Sequence, residues 1–307
     1  MSLKVLIAGG SGNLGIKICK SLLKTNYKLI NLDKKKLKNF DKINFINFDL
    51  TKKINKNNLP KNINIIIFSA GHIGGLDSVK NDTAEKYFKY NLYTLSNLLE
   101  NIQNSKLKKI VFFSSEQVYG DNQSNINKKK NTFYEPEPKN YYGVSKLMAE
   151  KYLNYYYNFY DRKFGIDILR IPRVIDLSQN SLLYKLLNDC SVKKKIEITN
   201  IKEKFNFIFM DDFLNVLTLV TKQKKKLFRI LDLGSKDCKS FSIIQIVKMI
   251  DKTINTKTKI LTKNKIFTHN PVNLKIDYNF SHKSLKQYPK WSVRKMIELV
   301  STKYGFK

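Results

Sequence analysis

The chain has 307 residues, 42% hydrophobic and 12% aromatic, enough to bury one large core or a main domain with a smaller appendage. Lysine and arginine total 57 against 25 acidic residues, a net charge of +32, but only Arg162, Arg170, Arg173, Arg229 and Arg294 carry the guanidinium suited to bidentate phosphate and base contacts. The lysines are scattered without aromatic interleaving, no apolar run is long enough to span a bilayer, and Cys19, Cys190 and Cys238 lack metal-ligand spacing, so nucleic acid, a membrane span and a bound metal are not expected.

Met1 leads straight into an apolar segment, which leaves no room for a signal peptide, and the expectation is a cytoplasmic protein with reduced cysteines. Residues 4–15 read as a short strand running into glycines at positions 9, 12 and 15, with a helical pattern over 13–24 behind them. Such a turn suits a dinucleotide pyrophosphate. Gly9 permits the tight turn, Gly12 lets the backbone approach the phosphates, and Gly15 lets helix and strand pack closely. The phosphates would sit on the free N–H groups at the positive helix end, around Ser11, Asn13 and Leu14. A second strand, 27–32, ends in Asp33, about 20 residues beyond the glycines, where a carboxylate would bind the adenine ribose hydroxyls. That selects NAD. Lys34 beside it offsets some of the repulsion for a 2′-phosphate and keeps NADP open.

Further strands are predicted at 43–48, 64–70, 108–114 and 166–171, with helices near 82–103 and 140–160. The strands are mostly apolar rather than alternating, as expected when both faces are buried. This alternation predicts an α/β fold, a Rossmann-type doubly wound parallel sheet over residues 1–175. Beyond residue 175 the segments shorten: a helix at 180–190, short strands at 196–199 and 205–210, a helix at 212–221 opened by Asp212, and a strand at 229–233. Helices follow at 242–253 and at 292–303, the last with Ser292 as N-cap. Residues 176–307 are expected to form mainly a smaller C-terminal substrate lobe, with some segments returning to the core.

Tyr142-Gly-Val-Ser-Lys146 lies in a helical pattern, and a spacing of four puts tyrosine and lysine on one face. A nearby ammonium favours the phenolate and is expected to lower the tyrosine's pKa, making proton exchange with an alcohol feasible. Spacing alone does not single this pair out, since Tyr141 and Tyr134 serve equally well. The strand at 110–114 ends Phe-Phe-Ser114-Ser115-Glu116-Gln117-Val-Tyr-Gly, and hydroxyls at the carboxyl end of a parallel strand point into the ligand crevice. Ser115 could then bond the same substrate oxygen as Tyr142. His72 and His282 give no signal of their own.

These three motifs in order resemble the extended short-chain dehydrogenase/reductases, specifically the nucleotide-sugar epimerase/dehydratase family and its UDP-glucose 4-epimerase-like members. Asp49-Leu50, Ser69-Ala70-Gly71, Asn91, Phe209-Met210-Asp211-Asp212 and Trp291-Ser292 look like further landmarks of that family. The resemblance implies that Tyr142 is the acid/base, that Lys146 binds the nicotinamide ribose, and that Ser115 fixes the reacting oxygen. It implies cofactor contacts from the glycine loop, Asp33, Asp49, Leu50, Ser69, Ala70, Gly71, Asn91 and Ser114. It also implies a nucleotide-sugar substrate, chemistry at its C4, and a homodimer. Family dehydratases carry carboxylates where this chain has Gln117, an amide that cannot act as a general base, which favours epimerisation or ketoreduction. Arg173 stands where many members have asparagine, while Phe205 (beside Lys204) and His269 replace two family arginines. Arg173, Lys204 and His269, with Glu116 and Gln117, are the expected substrate contacts.

Overall fold

The computed structural model describes residues 2–37, 40–73, 82–102, 105–120, 136–198, 204–262 and 278–306. The central element is a seven-stranded sheet. Its strands are β1 Lys4–Ala8, β2 Lys28–Asp33, β3 Asn44–Asn47, β4 Ile65–Phe68, β5 Lys109–Ser115, β6 Gly165–Ile171 and β7 Phe228–Asp232. Their spatial order is β7-β6-β5-β4-β1-β2-β3. The pairs β1–β2, β1–β4, β2–β3 and β4–β5 are parallel. Order reverses between β1 and β4, and the crevice outside the carboxyl ends of such strands is where this architecture binds ligands. The continuous apolar runs are explained by burial on both faces: every residue of β4, β5 and β6 is buried.

The helices are α1 Asn13–Leu22, α2 Ala84–Phe88, α3 Thr94–Asn101, α4 Tyr141–Phe159, α5 Leu182–Asn188, α6 Met210–Lys222, α7 Ile243–Ile254, α8 Asn279–Leu285 and α9 Val293–Tyr304. A π-turn over Lys89–Tyr93 joins α2 to α3, so the single helix expected at 82–103 is widened in its middle. Ser292 caps α9 through the Lys295 N–H, as predicted. The helix expected to open at Asp212 starts earlier, at Met210. Asp212 instead turns its carboxylate to the backbone N–H groups of Lys290 and Trp291, at 3.0 and 3.1 Å.

Two compact units divide the described residues. The first takes those of Met1–Val118, Asn140–Arg170 and Val216–Leu231; the second takes those of Tyr119–Lys139, Ile171–Asn215 and Asp232–Lys307. In the first, Leu6, Ile30, Ile66, Phe68, Ile110 and Phe112 of the sheet pack under Leu95, Leu98, Leu153 and Tyr156 of the helices. In the second, Leu183, Leu187, Ile246, Ile250, Met296 and Ile297 pack from three helices around Phe207 and Phe209. Its short strands pair locally: Arg173–Ile175 with Phe207–Phe209, Lys204–Phe205 with Phe241–Ser242, and Lys195–Ile198 with Lys259–Thr262.

Candidate active site

The glycine loop forms as its sequence requires. Gly9 has φ +84°, and a Cβ there would come within 2.5 Å of the Ala70 backbone nitrogen, so the ends of β1 and β4 touch only through glycine. A Cβ on Gly15 would lie 2.2 Å from the Gly9 carbonyl oxygen. Gly12 is different: a Cβ there meets only that same oxygen, at 3.5 Å, and otherwise reaches open space. Gly12 is also the N-cap of α1, without a capping side chain and with no acidic residue in the first turn. Helices α2, α4, α5, α7 and α9 all have a capping side chain, from Thr83, Asn140, Ser181, Ser242 and Ser292. The first N–H groups of α1, in the run Asn13-Leu14-Gly15, are thus left for an anion.

Around this cradle, Asp33 accepts from the Ser11 N–H at 3.0 Å and the Lys35 N–H at 3.3 Å, clamping the loops that follow β1 and β2 together. Asn31 reinforces the clamp with a bond to the Ser11 hydroxyl at 3.0 Å. Asp49 accepts the N–H and hydroxyl of Thr51, the first of which holds its carboxyl below the usual range. The neighbouring Leu50 carbonyl is fixed by Asn97 of α3 at 2.7 Å. Beyond β4, the Ser69 N–H bonds the Ala8 carbonyl at 2.8 Å. A Cβ on Gly71 would sit 3.5 Å from the Lys146 side-chain nitrogen, so this backbone lies against that lysine. An open, uncapped helix start beside a carboxylate and a backbone path leading to Lys146 fits a dinucleotide.

The expected catalytic trio comes together. The Ser115 hydroxyl lies near enough to the Tyr142 phenol to hold its pKa down. Lys146, one turn along α4, is 5.8 Å from the Tyr142 ring centroid and donates to the Phe113 carbonyl at 2.9 Å. The Lys146 nitrogen also lies 4.9 Å from the Phe112 ring centroid. Helix α4 starts where it does because Asn140 accepts from the Gly143 N–H at 2.7 Å while donating to the Gln117 amide oxygen at 3.0 Å. Gln117 therefore works in the scaffold, and its own N–H bonds Ser115 Oγ at 3.2 Å. Glu116 is buried at the end of β5. The π-turn carries Asn91, whose side-chain amide bonds the His72 N–H (2.7 Å), the His72 carbonyl (2.9 Å) and Ser145 Oγ (2.9 Å).

Electrostatics depart from the sequence expectation. Tyr142's phenol is pushed up to about 12, chiefly by burial, with the Ser115 hydroxyl opposing the push. The neighbouring Tyr87 phenol adds to the rise, so burial and Tyr87 together outweigh Ser115. Lys146 is itself pushed down to about 8 by burial, against the pull of Glu150.

Of the expected substrate contacts, Arg173 and Lys204 both fall in the second unit. The Arg173 guanidinium lies 4.4 Å from the ring centroid of Phe205, the residue that follows Lys204. His269 lies outside the described residues.

A sequence profile of the NAD-dependent epimerase/dehydratase family matches residues 5–234. The chain belongs to that family. A dTDP-D-glucose 4,6-dehydratase of Dictyostelium discoideum is 27% identical over 245 residues, 72% of this chain but 56% of that protein, so the match spans little more than half its length. The uncharacterized UDP-glucose epimerase YtcB of Bacillus subtilis is 24% identical over 86% of both chains. Among solved structures, UDP-glucuronic acid 4-epimerase of Bacillus cereus, in complex with UDP-glucuronic acid and NAD, has a TM-score of 0.78 at 21% identity. That likeness covers 96% of this chain and 97% of that one.

Further contacts of this family member go beyond the sequence expectations. The hydroxyl of Ser114, an expected cofactor contact, donates to the Glu150 carboxylate of α4. Glu150 in turn is gripped by Arg170 of β6 at 3.0 and 2.7 Å. A signal for this exists: Arg170 is a charge in an apolar buried strand, and Glu150 falls four residues after Lys146 on the same face. His72, with no sequence signal, pairs with Asp82 at 2.6 Å and packs against the Tyr87 ring at 5.1 Å. Tyr87 lies 6.3 Å from Tyr142.

Proposed function

We propose that the protein is an NAD-dependent enzyme that inverts C4 of a nucleotide-activated sugar through a transient 4-keto sugar. The observation that carries this reading is the grouping of the Ser115 hydroxyl, the Tyr142 phenol and, one turn beyond and 5.8 Å from the Tyr142 ring, Lys146, with an uncapped glycine cradle in the same unit. It is supported by the family and by relatives named as UDP-glucose and UDP-glucuronic acid 4-epimerases. The α1 start, Asp33, Asp49, Ser69-Ala70-Gly71 and Lys146 would hold the dinucleotide, with Asp33 disfavouring a 2′-phosphate. When bound, the dinucleotide supplies a reversible two-electron acceptor at the sugar carbon, and its cationic nicotinamide favours the Tyr142 phenolate.

Tyr142 takes the proton from the C4 hydroxyl and returns it once the opposite face has been reduced. Ser115 donates to the same oxygen as it passes between alcohol and ketone, and Lys146 stabilises the Tyr142 phenolate that takes this proton and is regenerated when the proton is returned. Dehydration would need a carboxylate near the leaving group. Gln117 supplies only an amide, and that amide is engaged by Asn140. The test is incubation with uridine-diphospho-hexoses and hexuronic acids at catalytic NAD. The expected product is the 4-epimer with no net change at 340 nm; a stoichiometric change would mark a 4-ketoreductase instead.

Arg173, with Lys204 and His269, would grip the diphosphate in this reading. A guanidinium can pair two phosphate oxygens at once, and such charged hydrogen bonds are worth about 1.5–3 kcal/mol. Arg173→Ala is therefore expected to raise KM for the nucleotide sugar roughly ten- to a hundredfold at unchanged NAD affinity. An unchanged KM with a lowered melting temperature would make Arg173 a brace for Phe205. A homodimer completes the reading. It is supported by the exposed stripe Met148, Tyr155 and Phe159 along α4, whose spacing of seven and four residues keeps an apolar face in line for a second copy.

A further inference from the structure

Behind the catalytic face of α4 lies a buried ionic cluster to which the reaction above assigns no task. Glu150 is 3% exposed and Arg170 6% exposed. Arg170 donates Nε to Glu150 Oε1 at 3.0 Å and Nη2 to Oε2 at 2.7 Å, a two-point grip that leaves the carboxylate one orientation. Ser114 of β5 donates its hydroxyl to Oε1 from the third side. Three elements thus converge on one carboxylate: β6 through Arg170, β5 through the residue next to Ser115, and the helix bearing Tyr142 and Lys146. A buried ion pair adds little to stability by itself, because desolvation cancels much of its attraction. Its placement is more telling. Tyr142, Lys146 and Glu150 are spaced by four residues each along one side of α4.

We propose that Glu150 is a positioning residue for the Tyr142–Lys146 pair, a fixed countercharge held by Arg170 and Ser114 that keeps Lys146 an ammonium. The inference rests on the Ser115–Tyr142–Lys146 reading given above. Lys146 needs such a partner because its other neighbours are weak: the Phe113 carbonyl, the Phe112 face and the Gly71 backbone. The other titratable groups packed around this face are Tyr87, Tyr142 and the His72–Asp82–Lys86 cluster, and the charged group behind Glu150 is Arg170 itself. Burial has already brought Lys146 down to about 8, and Glu150 is what opposes it. With that charge removed, Lys146 loses its proton at lower pH, and the phenolate loses its cation over the same range.

The experiment compares the full-length holoenzyme with Glu150→Gln and with the paired variant Glu150→Gln/Arg170→Gln, which leaves no buried charge alone. The expected result is an alkaline limb of kcat moved about one pH unit downward in both, with KM within twofold. A merely structural pair predicts a lower melting temperature in the single variant, recovery in the paired one, and a parental pH profile in both. That profile would overturn the proposal. A second measurement needs no substrate: trace acetylation of the cofactor-free protein across pH, read for the Lys146 peptide by mass spectrometry. Its midpoint should fall by about one unit in both variants while surface lysines stay put; an unmoved midpoint also overturns the proposal. If the epimerase reading fails, no variant turns over any nucleotide sugar, yet the acetylation midpoint still decides the role of Glu150.

Discussion

Tyr142→Phe is expected to cut turnover by roughly 10²–10⁴-fold while folding and dinucleotide affinity stay near the parent's. The substitution removes one oxygen from a half-buried ring and leaves its packing against Tyr87. The oxygen is the acceptor and donor of the only proton the proposed reaction moves, and its partner Ser115 cannot replace it, since an aliphatic hydroxyl is far less acidic. Lys146 is no substitute either, because its nitrogen already serves the Phe113 carbonyl at 2.9 Å. Turnover within twofold of the parent would remove Tyr142 from the chemistry. A large drop in melting temperature would make the effect structural.

Gly12→Ala is expected to abolish detectable NAD binding with little change in melting temperature. The added methyl meets only the Gly9 oxygen, at 3.5 Å, an ordinary contact the fold tolerates. It stands, however, on the open side of an uncapped helix start, where a pyrophosphate must approach the backbone. Gly15→Ala is the internal contrast. Its methyl would fall 2.2 Å from the Gly9 oxygen, so that variant should lose stability, by about 1–3 kcal/mol for a strained close-packed site. Titration calorimetry with NAD and thermal melts read both. A Gly12→Ala protein that binds NAD like its parent would reduce the loop to a simple turn.

The parts of this protein legible in its sequence are those governed by local rules. The β1–α1 glycines, Asp33 at the end of β2, the Tyr142–Lys146 spacing and the Ser292 cap each depend on neighbours within a few residues. The π-turn at Lys89–Tyr93 has no such signature, because the widened turn is set by the tertiary bonds of Asn91 to His72 and Ser145. The His72–Asp82 pair and the Arg170–Glu150–Ser114 cluster likewise join residues distant in the chain. The Tyr142 shift runs opposite to the sequence expectation for a physical reason: spacing to a lysine is readable from the chain, whereas burial, the largest cause of the shift, is not. Asp212 looks like a helix opener by its residue type, yet its partners are backbone groups 78 and 79 residues away.

The most direct measurement is an NMR time course with a nucleotide sugar deuterated at C4, incubated with the enzyme and substoichiometric NAD. The account predicts conversion to the 4-epimer with deuterium retained at C4, no steady change at 340 nm, and no loss of water from the sugar. Washout of the C4 deuterium into solvent, a stoichiometric change in dinucleotide, or a 6-deoxy-4-keto product would contradict it.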